Sequence, residues 1–261
     1  MKLYKTNELQ DTGDIILAYG ATGVGKSVST LQSAPEPIFY FMTEPRNPLK
    51  FVHATGRTDI DVDFGFYSDW NDMFDWFSDK ENTEKYQSIV IDSLTFLSNI
   101  ALNFELIDEH YESKTATEKS DKQLIMRTKL SQEGFGGLSG QLLRFTNMIS
   151  KLSQDGKTVV LLALLEQNPK FNKALVGAPA LKGKDFPKAL PGFMDFIGLV
   201  EPQIDEATDT LIYPPTIDFR GDAGYLSKWT GYGAPKRGPM NIKKIIDKAH
   251  GRDTKGGNMQ A

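Results

Sequence analysis

Gly20-Ala21-Thr22-Gly23-Val24-Gly25-Lys26-Ser27 fits the pattern G-x-x-x-x-G-K-[ST], the Walker A phosphate loop. A polyphosphate is a dense, hydrated negative charge, and holding it takes many donors converging on a small volume. Glycines let the backbone curl until successive N–H groups point inward, and the following helix presents its positive end. In this pattern Lys26 reaches the β- and γ-phosphates of ATP, and the Ser27 hydroxyl ligates Mg²⁺. The binding surface predicted from it is Gly20, Ala21, Thr22, Gly23, Val24, Gly25, Lys26, Ser27 and Val28. The flanks agree. Ile15-Ile16-Leu17-Ala18-Tyr19 is a short apolar run ending at Gly20 and reads as a buried strand. Lys26 to Gln32 reads as a helix closed by Ser33-Ala34-Pro35. Chance produces the pattern in roughly one chain per hundred of this length, so the stretch predicts an α/β nucleotide-binding fold.

The bulk composition allows that fold. A chain of 261 residues, 39% hydrophobic and 25% charged, can bury a sizeable core. No run approaches 18 apolar residues, and Met1-Lys2-Leu3-Tyr4-Lys5 is not followed by an apolar leader segment. No membrane partner is expected, and the expected location is the cytoplasm. With no cysteine, thiolate metal sites and a cysteine nucleophile are excluded. His53, His110 and His250 are scattered, which argues against a histidine metal cluster or a Ser-His-Asp arrangement. The net charge of −4 means that nucleic-acid binding must come from local basic segments.

Further along, Pro37 to Met42 is a β-branched and aromatic-rich run that reads as a second strand. It ends in Thr43-Glu44-Pro45-Arg46-Asn47-Pro48, whose prolines cannot continue a central strand. Asp61 to Phe66 reads as a third strand. Trp70, Met73, Phe74 and Phe77 mark one helix face. Gln87-Ser88-Ile89-Val90-Ile91-Asp92-Ser93 is an apolar strand ending in an aspartate, the form of Walker B. A buried parallel strand delivers its last residue to the carboxyl edge of the sheet, where a carboxylate can hold Mg²⁺ beside the phosphate loop. Leu97, Ile100, Ala101, Phe104 and Ile107 predict an amphipathic helix. Residues 112 to 136 read as a polar excursion with a helical turn near Leu124-Ile125-Met126, ended by Gly136-Gly137. A long helix through Leu138, Leu142, Phe145, Ile149 and Leu152 follows, stopped by Asp155-Gly156.

Thr158 to Leu165 is a continuous apolar strand. Residues 168 to 192 then read as a long loop carrying Lys170, Lys173, Lys182, Lys184 and Lys188 against Asp185, with Phe171 and Phe186 among them. Cations for a backbone and flat rings for bases are what single-stranded nucleic acid requires, so these lysines and Phe186 are candidate DNA contacts. Phe193 to Val200 reads as the next strand. Short β pieces at 210–213, 216–219 and 224–228, separated by Pro214-Pro215 and Gly221-Asp222, make a hairpin-like extension of the sheet. Ile242 to Ala249 reads as a helix. The expected organisation is a lead-in at 1–13, one core at 14–250 and a disordered tail at 251–261.

The order of these parts resembles the RecA/RadA-type P-loop ATPase core, and most closely the small phage-encoded RecA-like ATPases of single-strand annealing recombination. Val24-Gly25-Lys26-Ser27, Phe41-Met42-Thr43-Glu44, Ile89-Val90-Ile91-Asp92-Ser93-Leu94-Thr95 and Lys188-Ala189-Leu190-Pro191-Gly192 carry the likeness. The resemblance implies a mostly parallel central sheet flanked by helices, with the run 158 to 165 lying between the Walker A and Walker B strands. It implies ATP and Mg²⁺ as ligands, Glu44 as activator of the attacking water, Asp92 as the Walker B carboxylate and Gln167 as the γ-phosphate sensor. It implies two loops, 112 to 136 and 168 to 192, on single-stranded DNA. It also implies a homo-oligomer, ring or filament, in which a neighbour supplies a cation to each ATP site. Lys228 matches that position, but relatives carry Lys-x-Arg where this chain reads Lys228-Trp229-Thr230, so Lys236 or Arg237 is the alternative. A single-strand DNA-binding protein is a further candidate partner, and the host cytoplasm is the implied location if the protein is phage-encoded. A DNA-dependent ATPase is the leading expectation. A hexameric helicase on the same core and a weakly hydrolysing, nucleotide-gated DNA-binding protein are the alternatives. A small-molecule kinase fits less well, because its lid needs arginines and 168–192 has none.

Overall fold

The computed structural model describes residues 12–101 and 132–252. The first half runs β1 (Ile15–Gly20), α1 (Lys26–Ser33), β2 (Ile38–Met42), α2 (Leu49–Ala54), β3 (Val62–Phe66), α3 (Trp70–Ser78), α4 (Lys80–Thr83), β4 (Ser88–Asp92) and α5 (Leu94–Phe96), which continues as a π turn over Leu97–Ala101. The second runs α6 (Gln132–Gln154), β5 (Thr158–Gln167), β6 (Gly177–Pro179), α7 (Asp185–Ala189) with a 3₁₀ turn over Leu190–Gly192, β7 (Phe196–Asp205), β8 (Thr210–Asp218), β9 (Lys228–Trp229), β10 (Arg237–Pro239) and α8 (Ile242–Ala249).

The strands order as β10-β8-β7-β1-β5-β4-β2-β3, with β6 on β5 and β9 on β7. From β7 to β3 the neighbours are parallel, and β8 and β10 close one side antiparallel. β5 lies between β1 and β4, the place expected for the run 158 to 165. Every residue of β1, β2 and β4 is buried. That is why these strands read as continuous apolar runs: a parallel sheet is covered on both faces. Alternate side chains then serve two cores. Leu17, Ile89 and Leu161 face α3 and α6 through Met73, Phe77, Leu142 and Phe145. Ile16, Val90 and Val160 face α1 and α8 through Leu31, Ile242 and Ile245.

β2 ends before Pro45 and Pro48; Pro48 caps α2, and Asn47 Oδ1 accepts the Leu49 N–H at 3.0 Å. Three sequence expectations change. Gly136 and Gly137 do not end an excursion; they lie inside α6. Each costs about 1 kcal/mol relative to alanine there, which the burial of Leu138, Leu142 and Phe145 on the same helix offsets. Residues 168 to 192 are not structureless, since they hold β6, α7 and the 3₁₀ turn. Pro214-Pro215 does not separate two strands. Register shifts between Glu201 and Gln203, so Tyr213, Pro214 and Pro215 bulge opposite Pro202 and no ladder N–H is required of the prolines. The expectations for 1–11, for Phe104 and Ile107, for 112–131 and for 253–261 lie outside the described residues.

Candidate nucleotide site

Gly20, Met42 and Asp92 reach the same edge of the sheet. Met42 pairs with Asp92, Asp92 with Leu162, and Gly20 with Leu164. The phosphate loop leaves β1 there, Glu44 follows β2 by two residues, and Asp92 closes β4. Gly23, Lys26, Ser27, Glu44, Arg46 and Asp92 line one pocket. Ligand sites in open α/β sheets occupy this carboxyl edge.

The loop has the curl that phosphate binding needs. Gly23 and Gly25 take φ of 80° and 93°, the left-handed region. A Cβ on Gly25 would also stand 2.6 Å from Tyr213 Cε1. The Gly25 carbonyl accepts the Ser29 N–H at 2.9 Å, closing the first turn of α1. Lys26 Nζ donates to the carbonyls of Gly20 at 3.0 Å and Ala21 at 2.7 Å. Burial lowers the Lys26 pKa to about 8; Asp92 and Glu44 act to raise it, and Arg46 to lower it further. Val24 is buried beneath the loop, and Val28 and Thr22 line the pocket.

The donor set at the end of β4 fits Mg²⁺. Ser27 Oγ donates to Asp92 Oδ2 at 2.7 Å, and the buried Tyr40 hydroxyl donates to the same oxygen at 2.6 Å. Asp92 Oδ1 has no hydrogen-bond partner among the described residues. A hydroxyl and a carboxylate already in contact are hard oxygen ligands of the kind Mg²⁺ takes alongside phosphate and water. Among the described residues no group of three or more His, Asp or Glu could hold a metal. Burial, then the Asp92 charge, pushes the Tyr40 hydroxyl pKa well up and keeps it a donor. Sequence reading gave Tyr40 no role, because a tyrosine in an aromatic strand reads as core.

Glu44 is held from two sides. Ser93 Oγ donates to its Oε1 at 2.9 Å, and the Arg46 guanidinium pairs with its Oε2. Thr43 ties the two strand ends together: its hydroxyl accepts the Ser93 N–H at 2.7 Å and donates to the Ser93 carbonyl at 2.8 Å, while its N–H donates to the Asp92 carbonyl at 2.8 Å. A carboxylate fixed on the wall of a phosphate pocket can orient a water and accept its proton.

The other candidates fall elsewhere. Gln167 is exposed at the end of β5, three residues past Leu164, where the lining of the pocket ends. Lys228 lies on β9, beside the first residues of β7, and its Nζ donates to the Pro191 carbonyl at 2.9 Å. Arg237 pairs with Glu201 at 3.1 Å. Lys236 is exposed, with no side-chain partner among the described residues. Lys170, Lys182 and Lys184 line a second cleft with Phe171, Phe135 and Asn99. Lys173 and Lys188 are exposed outside that cleft. Phe186 is a correction. It is only 1% exposed, packed in the core under α7, so its ring is closed to a nucleobase. Phe171 and Phe135 are the rings the basic cleft offers; the sequence places Phe171 among the lysines of 168–192 but gives no sign of Phe135.

A family model described as AAA domain matches residues 12–228, from the lead-in to β1 as far as β9. No curated protein matches the chain. Among the described residues no helix is long and apolar enough to cross a membrane.

Proposed function

The chain belongs to the AAA domain family of P-loop ATPases, and from that premise we propose a RecA-type ATPase that hydrolyses ATP while acting on single-stranded DNA in recombination or annealing. One observation carries the hydrolysis: Glu44, a carboxylate held by Ser93, shares its pocket with Lys26, Ser27 and Asp92. The triphosphate lies in the curl of Gly23 and Gly25, where Lys26 exchanges its carbonyl partners for phosphate oxygens. Ser27 and Asp92 would hold Mg²⁺, which would supply positive charge against the triphosphate. Glu44 orients a water in line with the γ-phosphorus. The water oxygen forms a bond to phosphorus, the bond to the β,γ-bridging oxygen breaks, and ADP leaves with its electron pair. Glu44 accepts the water proton.

The basic cleft supports the DNA reading, and β5 supplies a link between the two sites. Ala163 and Leu164 line the nucleotide pocket; Leu165 and Glu166, the next two residues, line the cleft with Lys170, Lys182 and Lys184. The Leu164 carbonyl accepts the Ala180 N–H at 2.8 Å, and Ala180 is itself in the cleft wall. A shift at one site is therefore transmitted to the other through a single strand end. Oligomerisation with a shared ATP site is part of the reading. Lys236 is the best placed of the three trans candidates, since Lys228 and Arg237 are engaged within their own subunit.

The test is ATP hydrolysis with and without single-stranded DNA, repeated with Glu44→Gln. Stimulation by DNA that the variant abolishes supports the proposal. Hydrolysis indifferent to DNA, or phosphoryl transfer to a small acceptor, overturns it.

A further inference from the structure

The nucleotide pocket holds a cation that the hydrolytic step above leaves unused. Arg46 lines the pocket with Lys26 and Ser27, and its one charged partner among the described residues is Glu44. Both oxygens of Glu44 are thus engaged, Oε1 by Ser93 and Oε2 by Arg46. The partners differ in freedom. The Arg46 side chain is 46% exposed, whereas that of Glu44 is 13% exposed and anchored by Ser93. Pro45 fixes the backbone between them, and the Arg46 N–H donates to the Glu44 carbonyl at 2.8 Å. This tight turn brings both side chains into one pocket.

We propose that Arg46 is a cis-acting catalytic cation that leaves Glu44 for the γ-phosphate, so that triphosphate binding itself uncovers the water-activating carboxylate. A guanidinium binds carboxylate and phosphate through the same planar fork. A γ-phosphate carries more charge than one carboxylate, and it arrives beside Lys26, whose ammonium already feels the Arg46 charge. The exposed arginine moves and the anchored glutamate stays. One displacement then does two things. It frees Glu44 Oε2 to take the proton of the attacking water, and it adds positive charge against the developing charge on the γ-phosphoryl oxygens, the part an arginine finger plays. Arg46 exchanges no proton. The bonds made and broken are those already given, water oxygen to phosphorus and phosphorus to the bridging oxygen. ADP has no γ-phosphate, so with product alone Arg46 returns to Glu44 and the carboxylate is covered again.

This rests on the hydrolytic reading, and the test separates the two. ADP and ADP–aluminium fluoride, a mimic of the transferring phosphoryl group, are titrated into wild type, Arg46→Ala and Arg46→Lys with Mg²⁺ present, and kcat is measured alongside. The expected result is ADP affinity within about twofold of wild type, ADP–aluminium fluoride affinity weakened roughly 100-fold or more in Arg46→Ala, and kcat down about 1,000-fold. Arg46→Lys falls between, since it keeps the charge and loses the fork. Retained ADP binding also reports that the variant is folded. Unchanged affinity for the mimic overturns the proposal, as does equal weakening of ADP and the mimic. Should wild type fail to hydrolyse ATP under any condition, the proposed function falls, while the binding comparison still decides the role of Arg46.

Discussion

Ser27 Oγ and Asp92 Oδ2 are 2.7 Å apart, a hydrogen bond between residues 65 positions apart in sequence. It joins the first turn of α1 to the last residue of β4. Asp92→Asn keeps the shape but loses the charge, and its amide can set a donor against the hydroxyls of Ser27 and Tyr40. The half-saturating Mg²⁺ concentration for ATP hydrolysis should rise at least about tenfold and kcat fall about 100-fold. Tyr40→Phe removes one buried hydrogen bond to a charged group while Ser27 still satisfies Oδ2. It should cost about 1.5–3 kcal/mol in thermal unfolding, with a smaller shift in the Mg²⁺ titration. Equal Mg²⁺ dependence in Asp92→Asn and wild type would remove Asp92 from the metal site.

Gly25→Ala tests the loop. The left-handed conformation costs a residue with a Cβ about 1–2 kcal/mol, and the new methyl would meet Tyr213 as well. The loop or Tyr213 must move. ADP affinity should fall about tenfold or more by calorimetry, with the far-ultraviolet circular dichroism unchanged because α1 and the core are not touched. Wild-type affinity would show that the curl at Gly25 is not needed for phosphate binding.

The sheet was easy to read from sequence because both its faces are buried: β1 and β2 are apolar runs, and β4 carries Ile89-Val90-Ile91 between the buried Ser88 and Asp92. Their spatial order was not. The position of β5 between β1 and β4 follows from the resemblance, since periodicity carries no information about neighbours. Within the site, Lys26, Ser27, Glu44 and Asp92 each stand at a strand end or in a local motif, so they were visible. Arg46 and Tyr213 were not, because placement in the fold gives them their surroundings. Tyr213 meets Gly25 from the stretch of β8 where the register shifts at the prolines. Phe186 was misread for a different reason. The prolines and glycines of 168–192 outweighed the helical spacing of Phe186 and Leu190, both 1% exposed.

Lys26 makes nucleotide affinity depend on pH. Burial lowers its pKa from 10.5 to about 8, and bound phosphate favours the charged form. Below about pH 7 the ammonium is already charged, so binding takes up almost no proton. At about pH 8 binding takes up about half a proton and from about pH 9 close to one, where affinity should fall by up to tenfold per pH unit. Calorimetry in buffers of different ionisation enthalpy reads the proton uptake directly. Stability of the unliganded protein runs the other way. The unfolded chain binds more protons between pH 8 and 10.5, so the contribution of Lys26 to stability increases as pH rises through that window. Proton uptake that stays near zero up to pH 9.5 would contradict the buried setting of the ammonium.

The basic cleft and the core beneath it should separate under mutation. Replacing Lys170, Lys182 and Lys184 with alanine removes three cations from one wall, and the salt dependence of single-stranded DNA binding should flatten by about two units of slope, at ~0.7 per phosphate contact. Phe171 lies in the same cleft, half-buried. Phe171→Ala should lose about 1–3 kcal/mol of DNA binding through lost base stacking, with the melting temperature unchanged. Phe186→Ala empties a closed core position and should cost about 3–5 kcal/mol of stability, with no loss of DNA affinity below the melting transition. The opposite pattern, DNA binding lost in Phe186→Ala and intact in Phe171→Ala, would move the DNA path out of this cleft. An unchanged salt slope in the triple lysine variant would do the same, leaving the positive charge of 168–192 as a solvated surface.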